Sequence, residues 1–186
     1  VYINLMGLDG LKKATQIAIL NSNYLKEKLK NSYNIIDVDK YGNVAHEFII
    51  DVSEFKKYNI TEQDIAKRII DYSFHPGTMS WPRLGVIMIE PTESESQVEL
   101  DRLVESLISI REEIQEVIDG KYDINNNVLK NSPHPIKMIK KWEHPYDMEK
   151  AYYPIKSLEK NKFFPSIGRV DDLQGDKNML ITKNIT

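Results

Sequence analysis

From Gly10 to about Lys30 apolar residues recur at helical spacing: Leu11, Ala14, Ala18, Leu25 and Leu29 share a face, flanked by Ile17, Leu20 and Tyr24. The apolar arc is wider than one neighbour requires, and Ala14, Ala18 and Ser22 leave room for close approach. Either a partner outside this chain covers the arc, or the helix is a core helix of this domain alone. After a turn-rich stretch with a brief extended piece at Tyr33 to Val38, the period drops to two between Val44 and Val52. Val44, His46, Phe48, Ile50 and Val52 face one way, and Ala45, Glu47, Ile49 and Asp51 the other. Thr61 and Asp64 match a capping box that opens a helix to about Asp71, burying Ile65, Ala66, Ile69 and Ile70. Gly85 to Ile89 is a continuous apolar strand. A further helix, opened by a Thr92/Glu95 or Ser94/Gln97 box, runs to about Asp119 and stops before Gly120. Arg111 falls inside its apolar face, which calls for an ion pair, or for a ligand contact.

Beyond Lys121 the periodicity fades into turn formers, with a short helix predicted at Asp147 to Ala151. Trp142, Tyr152, Tyr153, Phe163 and Phe164 supply anchors, so this tail is predicted to drape over a surface. The order helix, strand, strand, helix, strand, helix, tail predicts an α/β (α+β-like) two-layer domain with a small antiparallel sheet.

Composition narrows function by exclusion. In 186 residues, 28% charged with a net charge of -3, there is no basic footprint for nucleic acid or anionic membrane. No apolar run approaches the roughly 20 residues that span a bilayer. The absence of cysteine removes disulfides, thiolate nucleophiles and cysteine-ligated metals. The four histidines form no HxxxH or HExxH pair, so no zinc site is expected. The start at Val1 has no signal-peptide layout and no initiator Met, so a piece of a longer polypeptide is expected.

Chemistry concentrates in two segments. Phe74-His75-Pro76-Gly77-Thr78-Met79-Ser80-Trp81-Pro82 reads as a loop that its prolines and glycine keep out of regular structure, mixing hydrogen-bonding groups with large apolar surface. Phe163 to Asp172 is the second mixed segment and contains Arg169. His46, by its alternation, sits near the strand's entry on the apolar face, either as a core-edge histidine bonded to a carbonyl or as a functional group. Glu90 through Glu95 reads as a strand-to-helix cap rather than a catalytic carboxylate pair.

These segments together resemble one family. Tyr2-Ile3-x-Leu5-Met6-Gly7, Gly10-Leu11-x-x-Ala14-Thr15 and Ala18-Ile19-Leu20-Asn21-x-Asn23-Tyr24 are similar to the entry to the C-terminal region of the glycine-cleavage P proteins. Val44-Ala45-His46-Glu47, Phe74-His75, Thr78 to Pro82 and Glu90 to Ser96 continue the match in order. So do Leu129 to His134, Asn161-Lys162-Phe163, Pro165-Ser166 and Gly168 to Asp171. The resemblance implies the small domain of an aspartate-aminotransferase-like, fold type I enzyme that uses pyridoxal phosphate. Such an enzyme decarboxylates glycine and passes the aminomethyl group to the lipoyl arm of the H protein, and it is expected to be a dimer. On this reading residues 1–32 connect to a missing cofactor domain or subunit, 33–120 form the small domain, and 121–186 form the tail packed on it.

The resemblance places His46, Glu47, His75 and Thr78 in supporting catalytic roles facing the cofactor domain. It makes Arg169 a partner for a carboxylate, the substrate's or a structural one. No lysine here matches the family's cofactor lysine, so this piece alone is expected to be inactive. The expected compartment is the bacterial cytoplasm, with the mitochondrial matrix as alternative. Three positions depart from the family pattern: Pro76-Gly77 replaces Ala-Pro, Arg83 stands at an apolar position, and Phe164 replaces Trp. The rival expectation is a stand-alone α/β module that binds a small ligand or a protein.

Overall fold

The computed structural model describes residues 1–177. Four antiparallel strands, β1 (Asn34–Ile36), β2 (Phe48–Asp51), β3 (Thr78–Met79) and β4 (Val86–Ile89), form one sheet in the order β1-β2-β4-β3. Phe48 pairs with Ile89 and Ile50 with Ile87, so the period of two in each strand stacks these residues on the core face. Against this face pack α1 (Tyr2–Leu29), α2 (Glu62–Asp71) and α3 (Gln97–Ile118), which contribute Leu25, Leu29, Ile65, Ile69, Leu100, Leu107, Ile110 and Ile114 to the same core. A mixed α/β fold with a small antiparallel sheet is therefore found, as the order of elements predicted.

Several boundaries differ, each for a physical reason. Helix α1 begins at Tyr2 rather than near Gly10, with a break at Gly7, whose φ of 61° is left-handed. The predicted strand at Val44 to Val52 survives only at 48–51. The backbone of Val44 is satisfied instead by the side chain of Asn23, so alternation does not fix the facing of residues 44–47, and His46 is exposed. The loop after His75 contains the two-residue edge strand β3.

Helix α2 opens with the expected capping box, in which Asp64 reaches back to the Thr61 amide while Thr61 accepts from that of Asp64. Helix α3 uses neither predicted box. Thr92 anchors a turn through Glu95, and the helix starts after Ser96, whose Oγ accepts from the Glu99 amide. Ser96→Ala is therefore expected to lower stability by about 1 kcal/mol in chemical denaturation, with Ser94→Ala near neutral. Among the described residues Arg111 has no carboxylate partner: its guanidinium bonds Gln115 and lies 5.1 Å from the centre of the Phe55 ring.

Residues 121–177 are more regular than their composition predicts. They include short helices α4 (Val128–Asn131), α5 (Met148–Tyr152), α6 (Leu158–Asn161) and α7 (Asp172–Lys177). Val128, Leu129, Tyr146, Ala151, Tyr152, Ile155 and Leu158 belong to the main core. Trp142, His144, Tyr146 and Tyr152 cluster around His134, with Phe164 against Tyr152; Phe163 and Tyr153 are exposed. Among the described residues no helix is long and apolar enough to cross a membrane, and no group of acidic and histidine side chains is arranged to hold a metal.

Candidate functional site

One end of the sheet gathers most of the predicted chemistry. The antiparallel register brings the entry to β2, the exit of β4 and the entry to β3 to the same end. These positions carry His46-Glu47, Glu90-Pro91 and His75 to Thr78, respectively. Helix α1 spans the first two: Asn23 holds Val44 through both its backbone groups, at 2.8 and 3.0 Å, and Asn21 donates to the Thr92 carbonyl at 2.9 Å.

The His75 loop is fixed at its base. Arg102 donates to the Tyr72 carbonyl, pairs with Glu99 and stacks 3.7 Å from the centre of the Phe74 ring. Ser73 accepts from the Phe163 amide at 2.7 Å, so the C-terminal stretch buttresses the loop. At its far end Glu62 accepts from Ser80 and from the Gly85 amide at 2.9 and 3.0 Å. Gly77 lies so close to β4 that a Cβ there would sit 2.1 Å from the Met88 carbonyl oxygen. A loop held at both ends presents His75 and Thr78, both exposed, to a cleft of about 560 Å³. Glu90, Glu95, Glu99 and the apolar Leu100 and Leu103 line it too.

His46 does not line this cleft. It lies outside at the same sheet end, its side chain 63% exposed and its Nδ1 2.6 Å from Glu47 Oε2. The contact is one of ion-pair distance without hydrogen-bond geometry, since Glu47 Oε2 has no hydrogen-bond partner among the described residues. Together these groups can exchange protons and hydrogen-bond with whatever covers this end. Among the described residues no lysine lines the cleft, and its carboxylates would repel a phosphate.

Arg169 lies elsewhere. Of the two partners left open for it, the one found is structural: Arg169 pairs with Asp64 and donates to the Ser132 and Leu129 carbonyls, tying the C-terminal stretch to the start of α2. Lys130 joins the same carboxylate at 2.8 Å.

A second constellation, fully buried, was not anticipated. Arg68 forks onto Glu113 at 2.6 and 2.9 Å, bonds Asp71 at 3.0 Å, and donates to the Ala151 and Lys150 carbonyls. Asp71 also takes the His134 amide at 2.7 Å and ring Nδ1 at 2.6 Å, while His134 Nε2 meets the Tyr146 hydroxyl at 2.8 Å. Arg68 falls at the i+3 position from Ile65, next to Ile69, a signal readable in the sequence. The pairing of Asp71 with His134, 63 residues on, is not. The network joins α2, α3 and the C-terminal stretch, and its closure from solvent makes it structural.

Burial alone would raise the Asp71 and Asp64 carboxyls, yet both are held below the usual range. His134 and the Arg68 charge do so for Asp71; Lys130, the Thr61 amide and Arg169 do so for Asp64. Carboxylates depressed in the folded state give stability that is complete above their unfolded pKa of about 3.9 and is lost as the pH falls through the lower folded values. Stability is thus expected to hold down to about pH 4 and to fall steeply below it. Asp64→Asn should flatten that slope in urea titrations across the acid range. A slope unchanged by the substitution would contradict the assignment.

Comparison with known proteins gives a consistent result. A family model described as glycine dehydrogenase, C-terminal domain, matches residues 14–134. The chain is 51% identical to the glycine dehydrogenase (decarboxylating) of Pelagibacter ubique over 98% of its own length and 19% of that protein. It is 53% identical to the mitochondrial form from Dictyostelium discoideum, over 97% of this chain and 18% of that protein. A Nostoc protein of the same description is 51% identical over 97% of this chain. The chain thus spans about a fifth of the length of these relatives, 19%, 18% and 19% respectively.

Proposed function

We propose, from the premise that this chain belongs to the glycine dehydrogenase (decarboxylating) family, that it forms the C-terminal closing domain of such an enzyme. The observation that carries the reading is the convergence of His46-Glu47, His75 and Thr78 on one exposed sheet end, together with an uncovered apolar stretch of α1. Leu5, Leu8 and Leu20 are 81%, 84% and 66% exposed there, an arrangement suited to docking against the rest of the polypeptide.

On this reading the domain is the small domain of a fold type I enzyme, and the part of the polypeptide outside this chain holds pyridoxal phosphate. When bound, that group withdraws electrons from the glycine carbon as carbon dioxide leaves. The residues of this chain cover the site and exclude water. His75 and Thr78 offer hydrogen bonds from the loop, and His46, beside Glu47, accepts or returns a proton. The aminomethyl group then passes to the lipoyl arm of the H protein. Arg169 holds the C-terminal stretch in place, and the full enzyme is a dimer. The relatives include bacterial and mitochondrial forms; we place this one in the bacterial cytoplasm, with the mitochondrial matrix as the alternative.

Release of labelled carbon dioxide from carboxyl-labelled glycine, with lipoylated H protein as acceptor, tests the reading. The full-length polypeptide should be active, and a polypeptide ending before this segment should not. Undiminished activity in the shortened protein would favour a separate binding module instead.

A further inference from the structure

We infer that Asn21 and Asn23 of α1 are positioning residues that hold the two site-bearing segments at their working separation, an inference that rests on the functional reading above. Among the described residues no strand pairs with residues 44–47, so the segment carrying His46 and Glu47 lacks a ladder of its own. Asn23 stands in for that ladder. Its Oδ1 accepts from the Val44 amide at 3.0 Å, and its Nδ2 donates to the Val44 carbonyl at 2.8 Å, the two bonds a neighbouring strand would supply. Two residues earlier the buried Asn21 donates to the Thr92 carbonyl, fixing the turn that follows Glu90 and Pro91. Tyr2, returned by the break at Gly7, donates to Glu93 at 2.8 Å and adds a third tie to the same turn.

Asparagine is a poor residue for a helix interior, and its amide is costly to bury unless it is fully used. Asn23 divides its amide between the Val44 backbone and the Ile19 carbonyl of its own helix, and Asn21 donates to the loop carbonyl of Thr92. The C-terminal part of α1 is rooted in the core through Leu25 and Leu29, whereas its N-terminal part carries the exposed Leu5 and Leu8. The part of α1 that follows the Gly7 break therefore links the exposed Leu8 and Leu20 with the backbone two residues before His46 and two after Glu90. Docking on the exposed face of α1 sets the placement of both segments.

The test uses the full-length polypeptide carrying Asn23→Leu, Asn23→Asp or Asn21→Leu. Steady-state glycine decarboxylation is measured together with hydrogen exchange of individual amides. Misplacing a site group by about 1 Å costs on the order of a hundredfold. Asn23→Leu should accordingly lower kcat/KM by about ten- to a hundredfold, with faster exchange at residues 44–47 and unchanged exchange in β4. Asn23→Asp, which keeps the acceptor for the Val44 amide and loses the donor, should fall between it and the parent. Asn21→Leu should loosen residues 92–95 instead. Parental kinetics in Asn23→Leu would overturn the inference, as would faster exchange spread evenly over the sheet. Should the parent polypeptide release no carbon dioxide from glycine, the functional reading fails, while the exchange data still decide whether Asn23 holds this segment.

Discussion

Arg68→Met is expected to cost about 3–5 kcal/mol of folding stability, since removing one partner of a buried pair leaves the others charged and unmatched. Glu113 and Asp71 both point at this guanidinium, and both are buried. Burial works against the charge on Arg68, but Glu113 and Asp71 hold the guanidinium protonated. Methionine fills much of the volume and meets none of the five hydrogen bonds, two of which tie down the carbonyls of Lys150 and Ala151. Urea unfolding of the parent and variant measures the difference. Arg68→Met combined with Glu113→Gln should recover part of the loss by removing one stranded charge, whereas a single variant within 1 kcal/mol of the parent would show the network to be dispensable.

Gly77→Ala is expected to impair function far more than folding. The added methyl would lie 2.1 Å from the Met88 carbonyl oxygen, and that oxygen belongs to a central strand that cannot yield. The loop must therefore move away from β4, carrying His75 and Thr78 with it. Strand β3 is a two-residue edge strand with exposed side chains, so its displacement takes little from the core. On the proposed function, glycine decarboxylation by the full-length polypeptide should drop by about a hundredfold while the circular dichroism of the helices stays unchanged. Activity within twofold of the parent would show that the loop's position is immaterial to the reaction.

These two sites mark how far the sequence could be read. Local signals were legible where the competing alternatives were few: Thr61 and Asp64 form their capping box because nothing nearby offers a better start. Before α3 the sequence pointed to Thr92 or Ser94, and with a turn anchored on Thr92 the helix starts instead after Ser96. Alternation misled at residues 44–47, where the backbone partner is a side chain 21 residues away in α1 rather than a strand. His75 and Thr78 were found through their loop composition and the family likeness, and they share a cleft. Arg169 was expected to meet a carboxylate; that it meets Asp64, 105 residues earlier, depends on tertiary packing. Arg68 was missed, although its spacing from Ile65, Ile69 and Tyr72 puts it on the buried face of α2. Asp71 lies on the same helix, whereas Glu113 and the carbonyls of Lys150 and Ala151 come from elements that only the fold brings together.

The docking of this sheet end against the rest of the polypeptide is tested most directly by histidine modification in the full-length protein. The protein would be treated with diethylpyrocarbonate and each site read by mass spectrometry. In this chain His46 and His75 are exposed, while His134 is fully buried. If the remainder of the polypeptide covers this end, His46 and His75 will react far more slowly than free imidazole, and releasing the domain by proteolysis at its N-terminal edge will speed both while leaving His134 protected. His46 and His75 reacting at the rate of free imidazole in the intact protein would mean that nothing covers them, and the closing-domain reading would be wrong.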